Sequence, residues 1–295
     1  MFIVSIGGGL GSQMDQYSFY LALKNKYPDT IIKLDILNIF SKDHNGYELE
    51  KIFQIKAPIA NINEIKELSD IYPHTGKHKK IYDLLYTIRR NVFGKKESWI
   101  TPDDPSAYYE EVFNLNPLKS YIFFGNWSNE KYRTNIDDDI HNAFKFPSFE
   151  DSKNIEVAKL ISETNSVSIH VRHGDYIQYG FPTMTLEYYK KAIDIICKKI
   201  VNPCFFIFSD DIPYVKENFS FLKNYHIVDF NTKNNSFRDM QLMSLCKHNI
   251  IANSTFSYWG ARLNKNPYKI VICPRYHVPI CKHPAACDSW IILNN

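Results

Sequence analysis

Residues 167–176 read VSIHVRHGDY, in which a predicted buried strand is followed directly by polar residues. The strand, Val167–Val171, lies between two segments with helical patterns, Val157–Glu163 and Thr185–Lys199, and Thr185 is the expected N-cap of the second. Another apolar strand is predicted at Phe205–Ser209. Strands that alternate with helices at this spacing predict a parallel sheet with helices on both faces. The second half of the chain is therefore expected to be an α/β domain.

The first half opens with the same kind of unit. A predicted strand, Phe2–Ile6, runs into the glycine-rich turn GGGLGSQ, and an amphipathic helix is predicted over Met14–Lys26. We therefore predict two α/β domains, residues 1–150 and 151–295, joined near Phe146–Ser152. Roughly the last 20 residues are expected to stay with the second domain or to pack back on the first.

The composition is typical of a globular protein. Of the 295 residues, 44 % are apolar and 23 % are charged, which excludes wholesale disorder and a coiled-coil rod. The formal charge of +3 gives no reason to expect nucleic acid as a partner. No apolar run approaches the roughly 20 residues that cross a bilayer, and residues 1–6 do not resemble a signal peptide. Six dispersed cysteines without a C-x-x-C pair favour the cytoplasm.

The polar end of the Val167–Val171 strand predicts an anion site. Open α/β sheets bind ligands outside the carboxyl ends of their strands, and alternation puts His170 and Arg172 on one side. The planar fork of Arg172 suits phosphate oxygens, and Asp175 could hold that fork or accept a proton. The alternative is an arginine–aspartate pair that only ties the strand to the following loop.

A second anion site is predicted at residues 253–260, NSTFSYWG, where a strand passes into a helix. Small hydroxyls and free amides at a helix N-terminus bind anions. The residues that would supply them are Asn253, Ser254, Thr255 and Ser257. An ordinary helix cap needs only one of these hydroxyls.

Three carboxylates stand next to predicted element ends. Asp210 and Asp211 follow a strand, and Asp239 lies near the start of a helix. A carboxylate accepts hydrogen bonds from both N1–H and N2–H of guanine, so an aspartate suits a guanine site. The alternatives are structural. Asp239 would close a capping box with Ser236, and Asp211 would begin a helix with Pro213 in its first turn.

The glycine-rich turn after the first strand allows a ligand to approach the backbone closely. Its spacing is neither G-x-G-x-x-G nor a P-loop. A tight strand-to-helix turn without a ligand explains the same glycines.

A group of thiols and imidazoles near the C-terminus could bind zinc. It consists of Cys273, His277, Cys281, His283 and Cys287. The spacing matches no standard zinc pattern, and cysteine is common in protein cores, so we expect no metal there.

The segment His74–Lys96 carries seven lysines and arginines against one acid, Asp83. A solvated face explains this charge. The segment could also dock the protein on anionic lipid at the inner face of a membrane.

Four motifs, in the same order, resemble one known family. Residues 7–17, GGGLGSQMDQY, are similar to the GGLGNQMFQY opening of bacterial α-1,2-fucosyltransferases, glycosyltransferase family 11. His170–Tyr176 resembles their H-x-R-R-G-D-Y motif, and Phe206–Asp211 resembles their F-I-F-S-D-D strand. Asp239–Asn264 is similar to their closing motif, which contains N-S-[ST]-[FY]-S-W-W.

The resemblance implies a GT-B fold, in which two Rossmann-like domains face each other across a cleft and the C-terminal one holds GDP-fucose. It implies inverting transfer of L-fucose to the 2-hydroxyl of a galactose-type acceptor, with no obligatory metal and no cofactor besides the donor. The acceptor would be a galactose-terminated oligosaccharide or a lipid-linked glycan, such as an O-antigen or capsule precursor.

The resemblance also implies roles for residues. Arg172 would bind the β-phosphate, and His170 and Asp239 would lie at the guanosine end. Apart from the resemblance, the acceptor hydroxyl needs a base within hydrogen-bond reach, and Asp175 is the expected general base, with bracing of Arg172 as its alternative role. Donor contacts are expected from His170, Arg172, Asp210, Asp239, Asn253, Ser254, Thr255 and Ser257. The fucose and the acceptor are expected against Gly8, Gly9, Gly11 and Gln13.

The chain departs from the family pattern at four positions. Ser12 replaces an asparagine, Asp15 stands where phenylalanine is usual, His173 replaces the second arginine, and Tyr258 replaces the first tryptophan. These changes leave open a related transferase with another donor sugar or another linkage. Outside enzymes, the alternative is a nucleotide- or glycan-binding protein without turnover.

Overall fold

The computed structural model describes residues 1–37, 39, 45–71, 79–276, 281–284 and 286–294. The chain divides into two compact units, Met1–Lys145 and Phe146–Asn295. Each unit contains one parallel sheet together with helices, which confirms the α/β class and the two parallel sheets expected from the sequence.

The first unit is built on a four-stranded sheet. Its strands are β1 (Phe2–Ser5), β2 (Ile32–Asp35), β3 (Trp99–Ile100) and β4 (Tyr121–Phe123), and its helices are α1 (Leu10–Lys26), α2 (Glu48–Phe53), α3 (Ile62–Leu68), α4 (Lys79–Phe93) and α5 (Asp137–Ala143). Short 3-10 turns lie at Glu110–Phe113 and Glu130–Arg133. The strand order is β2-β1-β4-β3. The central strand β1 is buried along its whole length, because apolar Phe2, Ile3 and Val4 alternate between two covered faces.

Helix α1 begins inside the glycine-rich turn, at Leu10 rather than at the predicted Met14. Gly8 adopts a φ of +74°, a conformation that a side chain would strain, and this lets the chain reverse directly after β1. The turn is therefore shorter than the sequence indicated, and the helix is longer.

Asp15 is one of the four differences from the family pattern. Its charge is compensated by Arg133, which lies 118 residues away on a 3-10 turn. Both side chains are almost completely buried, and Arg133 Nη2 donates to Asp15 Oδ1 at 2.7 Å. Ser128 Oγ donates to the other carboxylate oxygen at 2.8 Å, and Arg133 Nε donates to Ser18 Oγ at 2.9 Å. A polar group on the buried face of α1 is tolerated because its charge is paired and its oxygens are bonded.

The second unit is built on a six-stranded parallel sheet. Its strands are β5 (Asn165–Val171), β6 (Pro203–Ser209), β7 (Tyr225–Val228), β8 (His248–Ile250), β9 (Val271–Pro274) and β10 (Ile291–Leu293), and its helices are α6 (Ser152–Glu163), α7 (Gly174–Tyr179), α8 (Leu186–Lys199), α9 (Ile212–Asn218), α10 (Phe237–Leu245) and α11 (Thr255–Arg262). A 3-10 turn lies at Lys233–Asn235. The strand order is β10-β9-β8-β5-β6-β7.

The strand that carries the VSIHV motif, β5, lies in the middle of this sheet between β8 and β6. Val167, Ile169 and Ile207 belong to the buried core that β5 and β6 share with α8. The hydroxyl of Thr185 caps α8 by accepting from the Tyr188 amide, as the sequence predicts. Because its side chains are packed in this core, β5 is held in place and its C-terminal end has a defined position.

Strand β10 pairs in parallel with β9, so residues 291–293 extend the sheet of the second unit. Its short apolar run, Ile291–Leu293, supplies the edge strand. Within the described ranges, no helix is both long and apolar enough to cross a bilayer.

Candidate functional site

The candidate site begins where β5 and β6 end side by side. Val171 stands opposite Ser209 in the parallel ladder, so Arg172 and Asp210 leave the sheet at neighbouring points. The carboxyl ends of central parallel strands form the ligand-binding edge of open α/β sheets. The structure therefore brings two of the predicted residues together at this edge.

The guanidinium of Arg172 lies between two carboxylates. Its Nη2 forms a short ion pair with Asp175 Oδ2, and its Nη1 lies 3.4 Å from Asp210 Oδ2. The group also lies over the ring of Tyr176, at 5.5 Å from the centroid. About a quarter of the Arg172 side chain, 25 %, is exposed. Arg172 is thus restrained and still open on one side.

Asp210 holds the loop that follows β5. Its Oδ1 accepts from the backbone amides of His173 at 2.9 Å and Gly174 at 3.2 Å, and its Oδ2 accepts from the Asp175 amide at 3.3 Å. A Cβ on Gly174 would come within 3.1 Å of the Asp210 carbonyl oxygen, which explains the glycine there. Because both oxygens are engaged inside the protein, Asp210 acts on the position of Arg172 and its loop.

Asp175 and Asp210 have pKa values that move in opposite directions. Burial raises the pKa of Asp175, and contact with the Asp210 carboxyl raises it further, while Arg172 opposes both effects. For Asp210, burial acts to raise the pKa, but Arg172 and the His173 amide outweigh burial and lower it. The pKa values of the two adjacent carboxyls therefore diverge, and that of Asp175 is the higher.

His170 is a buried, neutral imidazole. Burial lowers its pKa to about 3, and the nearby charge of Arg172 contributes to this shift. Its ring centroid lies 5.7 Å from that of Phe256 at the start of α11. A neutral imidazole in this place can donate or accept a hydrogen bond but adds no positive charge.

Three buried polar atoms of this cluster have no hydrogen-bond partner among the described residues. They are His170 Nδ1, Arg172 Nε and Asp175 Oδ1. Buried polar atoms are nearly always bonded, so an unbonded group usually marks a place for water, an ion or a ligand. The three atoms belong to the residues that the sequence predicts to be catalytic.

Residues 253–257 use most of their polar groups inside the protein. Ser254 Oγ caps α11 by accepting from the Phe256 amide, and Ser257 Oγ, fully buried, donates to the Ser254 carbonyl at 3.2 Å. Asn253 Nδ2 donates to the Pro182 carbonyl at 2.7 Å. Thr255 alone of the three predicted hydroxyl residues is partly exposed. The cap explains the Ser254 hydroxyl, and the Ser257 hydroxyl is used by backbone carbonyls of the same turn.

Tyr176 connects these two motifs. Its hydroxyl donates to the Asn253 carbonyl at 2.9 Å, while its ring lies against the Arg172 guanidinium. Tyr176 belongs to the HVRHGDY stretch, but its role was not predicted, because this bond joins residues 77 positions apart.

Asp239 belongs to a separate network at the start of α10. Its Oδ1 accepts from Asn231 Nδ2 at 2.8 Å, and Asn231 also donates to Asn154. Burial raises the pKa of Asp239 to about 8, although the Asn231 amide acts to lower it. The predicted capping box is wrong, because Ser236 has helical backbone angles and makes no side-chain cap bond.

Asp211 has the structural role that the sequence offered as its alternative. Its Oδ1 accepts from the Tyr214 amide and caps α9, with Pro213 in the first turn. Its other oxygen lies 2.8 Å from His173 Nδ1, and the His173 ring stacks on Tyr214 with a centroid distance of 3.9 Å. The histidine at the position of the second arginine is thus fixed against α9.

The glycine-rich turn of the first unit is held by buried glutamines. Gln13 Nε2 donates to the carbonyls of Gly8 at 2.9 Å and Gly46 at 2.8 Å, and its Oε1 accepts from the Glu48 amide. Gln13 is fully buried, so its amide supports the turn and is not presented to a ligand. Gly8 and Gly9 lie at the surface of the unit, whereas Gly11 is buried in α1.

The comparisons with known proteins agree with these motifs. The sequence profile described as Glycosyl transferase family 11 matches residues 102–293. An O-antigen biosynthesis glycosyltransferase, WbnK of Escherichia coli, is 31 % identical over 98 % of this chain and 99 % of its own. This chain belongs to glycosyl transferase family 11.

Two further relatives give different sugars in their names. An α-1,2-colitosyltransferase of Escherichia coli is 30 % identical over 92 % of this chain and 90 % of its own. The galactoside 2-α-L-fucosyltransferase SEC1 of Bos taurus is 31 % identical, over 33 % of this chain and 28 % of its own. The resemblance stated from the motifs is therefore confirmed at the level of the family.

The fold of this family 11 chain is that of solved fucosyltransferases. A crystal structure of the NodZ α-1,6-fucosyltransferase soaked with GDP-fucose matches with a TM-score of 0.50 and 12 % identity, covering 89 % of this chain and 91 % of that one. A second NodZ structure, from Bradyrhizobium, gives the same TM-score over 88 % and 91 %. The fold class is GT-B-like, as expected.

The cysteines of this family 11 member do not form a metal centre in the described ranges, where no three potential ligands come together. Cys273 is buried in β9, and burial raises the pKa of its thiol to about 12, which disfavours the thiolate that zinc requires. His277, a member of the predicted group, lies outside the described residues.

Proposed function

We propose that this chain transfers L-fucose from GDP-fucose to the 2-hydroxyl of a galactose-type acceptor in a surface glycan, with inversion. The observation that carries the proposal is the cluster of unbonded buried atoms on His170, Arg172 and Asp175 at the end of β5. Such a cluster needs a polar ligand to complete it. The names of an O-antigen glycosyltransferase and a galactoside 2-α-L-fucosyltransferase among the relatives support this choice of reaction.

Arg172 would stabilise the departing GDP. Cleavage of the fucose–phosphate bond develops negative charge on the β-phosphate, and a preorganised guanidinium lowers the free energy of that state. The unbonded Nε and the exposed side of Arg172 would donate to phosphate oxygens while Asp210 keeps the rest of the group in place. A planar fork suits this role better than a lysine.

Asp175 would be the general base. Burial and the Asp210 carboxyl raise its pKa, and a base with a raised pKa takes a proton from a hydroxyl more readily. When a phosphate binds Arg172, the Arg172–Asp175 ion pair has to loosen, which frees the Asp175 carboxylate. The alternative role, a brace for Arg172 alone, predicts that Asp175 affects donor binding and transfer equally.

Asp239 and His170 would lie at the guanosine end of the donor. Guanine N1–H and N2–H need an ionised carboxylate, whereas Asp239 has a pKa of about 8 and is mostly protonated at neutral pH. Binding of guanine would therefore release a proton from Asp239. The neutral His170 would bond through its unbonded Nδ1.

Of the remaining predicted site residues, only some would contact the substrates, and the others would support them. Thr255 and the backbone amides at the start of α11 would contact the diphosphate, with Asn253, Ser254 and Ser257 shaping that turn. Gly8 and Gly9 would face the fucose and the acceptor, with Gly11 and Gln13 supporting them. No metal is required in this scheme, so transfer should persist in excess EDTA.

A second donor is a specific alternative. The α-1,2-colitosyltransferase is as similar to this chain as the O-antigen enzyme, at 30 % against 31 % identity. Colitose is fucose without its 3-hydroxyl, so the two donors differ by one hydrogen-bonding group. A site that bonds this hydroxyl would discriminate strongly against colitose.

The acceptor is proposed to be a lipid-linked precursor or a galactose-terminated oligosaccharide, reached from the cytoplasm. A lipid-linked acceptor would place the enzyme at the inner face of the cytoplasmic membrane. The name of the O-antigen relative supports this acceptor class.

The experiment is a GDP-release assay on the purified full chain, with GDP-fucose or GDP-colitose and a set of galactosides. Acceptor-dependent release with GDP-fucose and an α-1,2 linkage in the product support the proposal. Faster release with GDP-colitose favours the second candidate. Donor binding without release under any acceptor would identify a binding protein. Arg275→Lys, which changes an exposed arginine at the end of β9, is the matched control for Arg172→Lys.

A further inference from the structure

Helix α4 presents an apolar face to solvent. Ile81, Leu84, Leu85, Ile88 and Val92 are each 49–66 % exposed. At 100° per residue, these five side chains cover about 100° of the helix circumference and form an apolar stripe. An exposed apolar patch of this kind on a folded protein marks an interaction surface.

The polar side of α4 is the side that is held by the first unit. Asp83, Tyr86 and Arg89, spaced three residues apart, are half-buried, and Arg89 Nη1 donates to Asp70 Oδ1 at 2.7 Å. Asp70 Oδ2 also accepts from the Lys96 amide, which fixes the chain just after the helix. A surface helix normally turns its apolar stripe toward the core. In α4 this arrangement is reversed, so the apolar stripe points outward.

The charged side chains near the stripe indicate which kind of surface it binds. Lys80, in the first turn of α4, and Lys95, two residues after its end, are exposed, whereas Arg90 lies on the side opposite the stripe. The one acid of residues 79–96, Asp83, is on the half-buried side. Basic side chains beside an apolar helix face favour an anionic lipid surface. Two copies of the helix packed together would instead bring like charges close, which is unfavourable.

We propose that α4 lies flat on an anionic bilayer, with its apolar stripe in the headgroup–acyl boundary and the nearby Lys80 and Lys95 among the lipid phosphates. A helix of 15 residues is too short to span the hydrocarbon, whereas it is long enough to lie in the interface. This surface contact does not depend on the transfer reaction. That it brings the enzyme to a lipid-linked acceptor rests on the proposed function.

The test is co-flotation of the full chain with vesicles. The chain should float with phosphatidylcholine vesicles that contain about one-third phosphatidylglycerol, and not with pure phosphatidylcholine, and raised salt should weaken the binding. Leu85→Gln with Ile88→Gln should lower the partition coefficient at least about tenfold. Lys80→Glu with Lys95→Glu should lower it at least about 25-fold, from about fivefold for each basic side chain lost.

Two matched controls separate α4 from the rest of the surface. Leu118→Gln with Val201→Gln removes two other exposed apolar side chains, and Lys223→Glu with Lys265→Glu makes the same change of net charge elsewhere. Both controls should float like the wild type. Transfer to a water-soluble acceptor should be unchanged in all four double variants, so a failure of lipid binding and a failure of transfer are observed separately.

Three outcomes would overturn the proposal. The first is no flotation of the wild type with anionic vesicles at low salt. The second is an equal loss in the control variants. The third is a dimer in sedimentation equilibrium that the Leu85→Gln, Ile88→Gln variant dissociates, because the stripe would then be the interface between two copies.

Discussion

The two units each contain an arginine paired with an aspartate, and the two clusters differ in how completely the arginine is bonded. In the first unit, Arg133 is fully buried and donates from Nε to Ser18, from Nη1 to the Ser128 carbonyl, and from Nη2 to Asp15. In the second unit, Arg172 is 25 % exposed, and its Nε has no partner among the described residues. The fold provides acceptors for Nε, Nη1 and Nη2 of Arg133, but it provides none for Nε of Arg172 among the described residues.

The carboxylates show the same contrast. Asp15 is bonded through both oxygens, to Arg133 and to Ser128. Asp175 pairs with Arg172 through one oxygen and leaves Oδ1 unbonded. An ion pair that serves the fold is closed, because any unbonded group in it would cost stability. A pair that serves a ligand is incomplete until the ligand binds.

The largest effect is expected from Arg172→Lys. Transfer should fall about 1,000-fold or more in kcat/KM, because lysine keeps the charge and loses the planar fork on the phosphate. The thermal midpoint should change little, since Arg172 is partly exposed. Steady-state kinetics and calorimetry measure the two quantities, with Arg275→Lys as the control. Near-wild-type transfer by the variant would remove Arg172 from the proposed role.

The closed cluster should respond in the opposite way. Asp15→Ala should lower the free energy of unfolding by about 3–5 kcal/mol, because it leaves the Arg133 charge buried without its carboxylate. Asp15→Leu with Arg133→Met should restore much of that stability, since apolar side chains of similar shape replace both charges. Urea unfolding of the three proteins checks this. A loss below about 1 kcal/mol for Asp15→Ala would show that the pair is not needed for the fold.

Asp210→Asn should produce a smaller loss of activity. An asparagine cannot accept from all three backbone amides, so Arg172 loses its fixed position, and kcat/KM should fall roughly 30-fold. The acid limb of the pH profile should also move to lower pH, because the Asp210 carboxyl is one of the causes that raise the pKa of Asp175. Asp211→Asn, which changes the neighbouring cap of α9, should leave that limb in place. A purely structural role of Asp210 would lower activity without moving the pH profile.

The smallest effect concerns the guanosine end. Only the ionised form of Asp239 accepts both guanine donors, and its pKa is about 8, so GDP affinity should rise with pH by about tenfold between pH 6 and pH 7 and level off above pH 8. Asp239→Asn should bind more weakly and lose this dependence. Calorimetric titration with both proteins at each pH removes the contribution of the phosphate's own ionisation. The same slope in wild type and variant would place guanine elsewhere.

Local patterns in the sequence predicted the strands and the positions of the polar motifs. Short apolar runs between helical patterns located β5 and β6, and the parallel register then brought Arg172 next to Asp210. The Thr185 cap could also be predicted from the sequence, because an N-cap depends on residues three positions apart.

The bonds that set the site could not be predicted, because they join distant residues. Asp210 holds amides 35 to 37 positions before it, and Tyr176 reaches a carbonyl 77 positions away. Ser236 failed as a cap because a 3-10 turn gave it helical angles. Periodicity likewise identifies the apolar stripe of α4 but does not indicate whether that stripe faces a core or the solvent.

The most direct measurement is a crystal structure of the full chain with GDP. The account predicts the β-phosphate within about 2.7–3.2 Å of Arg172 nitrogen atoms, Nε among them, with Asp175 released from the short ion pair and Asp210 still on the loop amides. An Arg172 that keeps its ion pair with Asp175 while GDP binds elsewhere would contradict it.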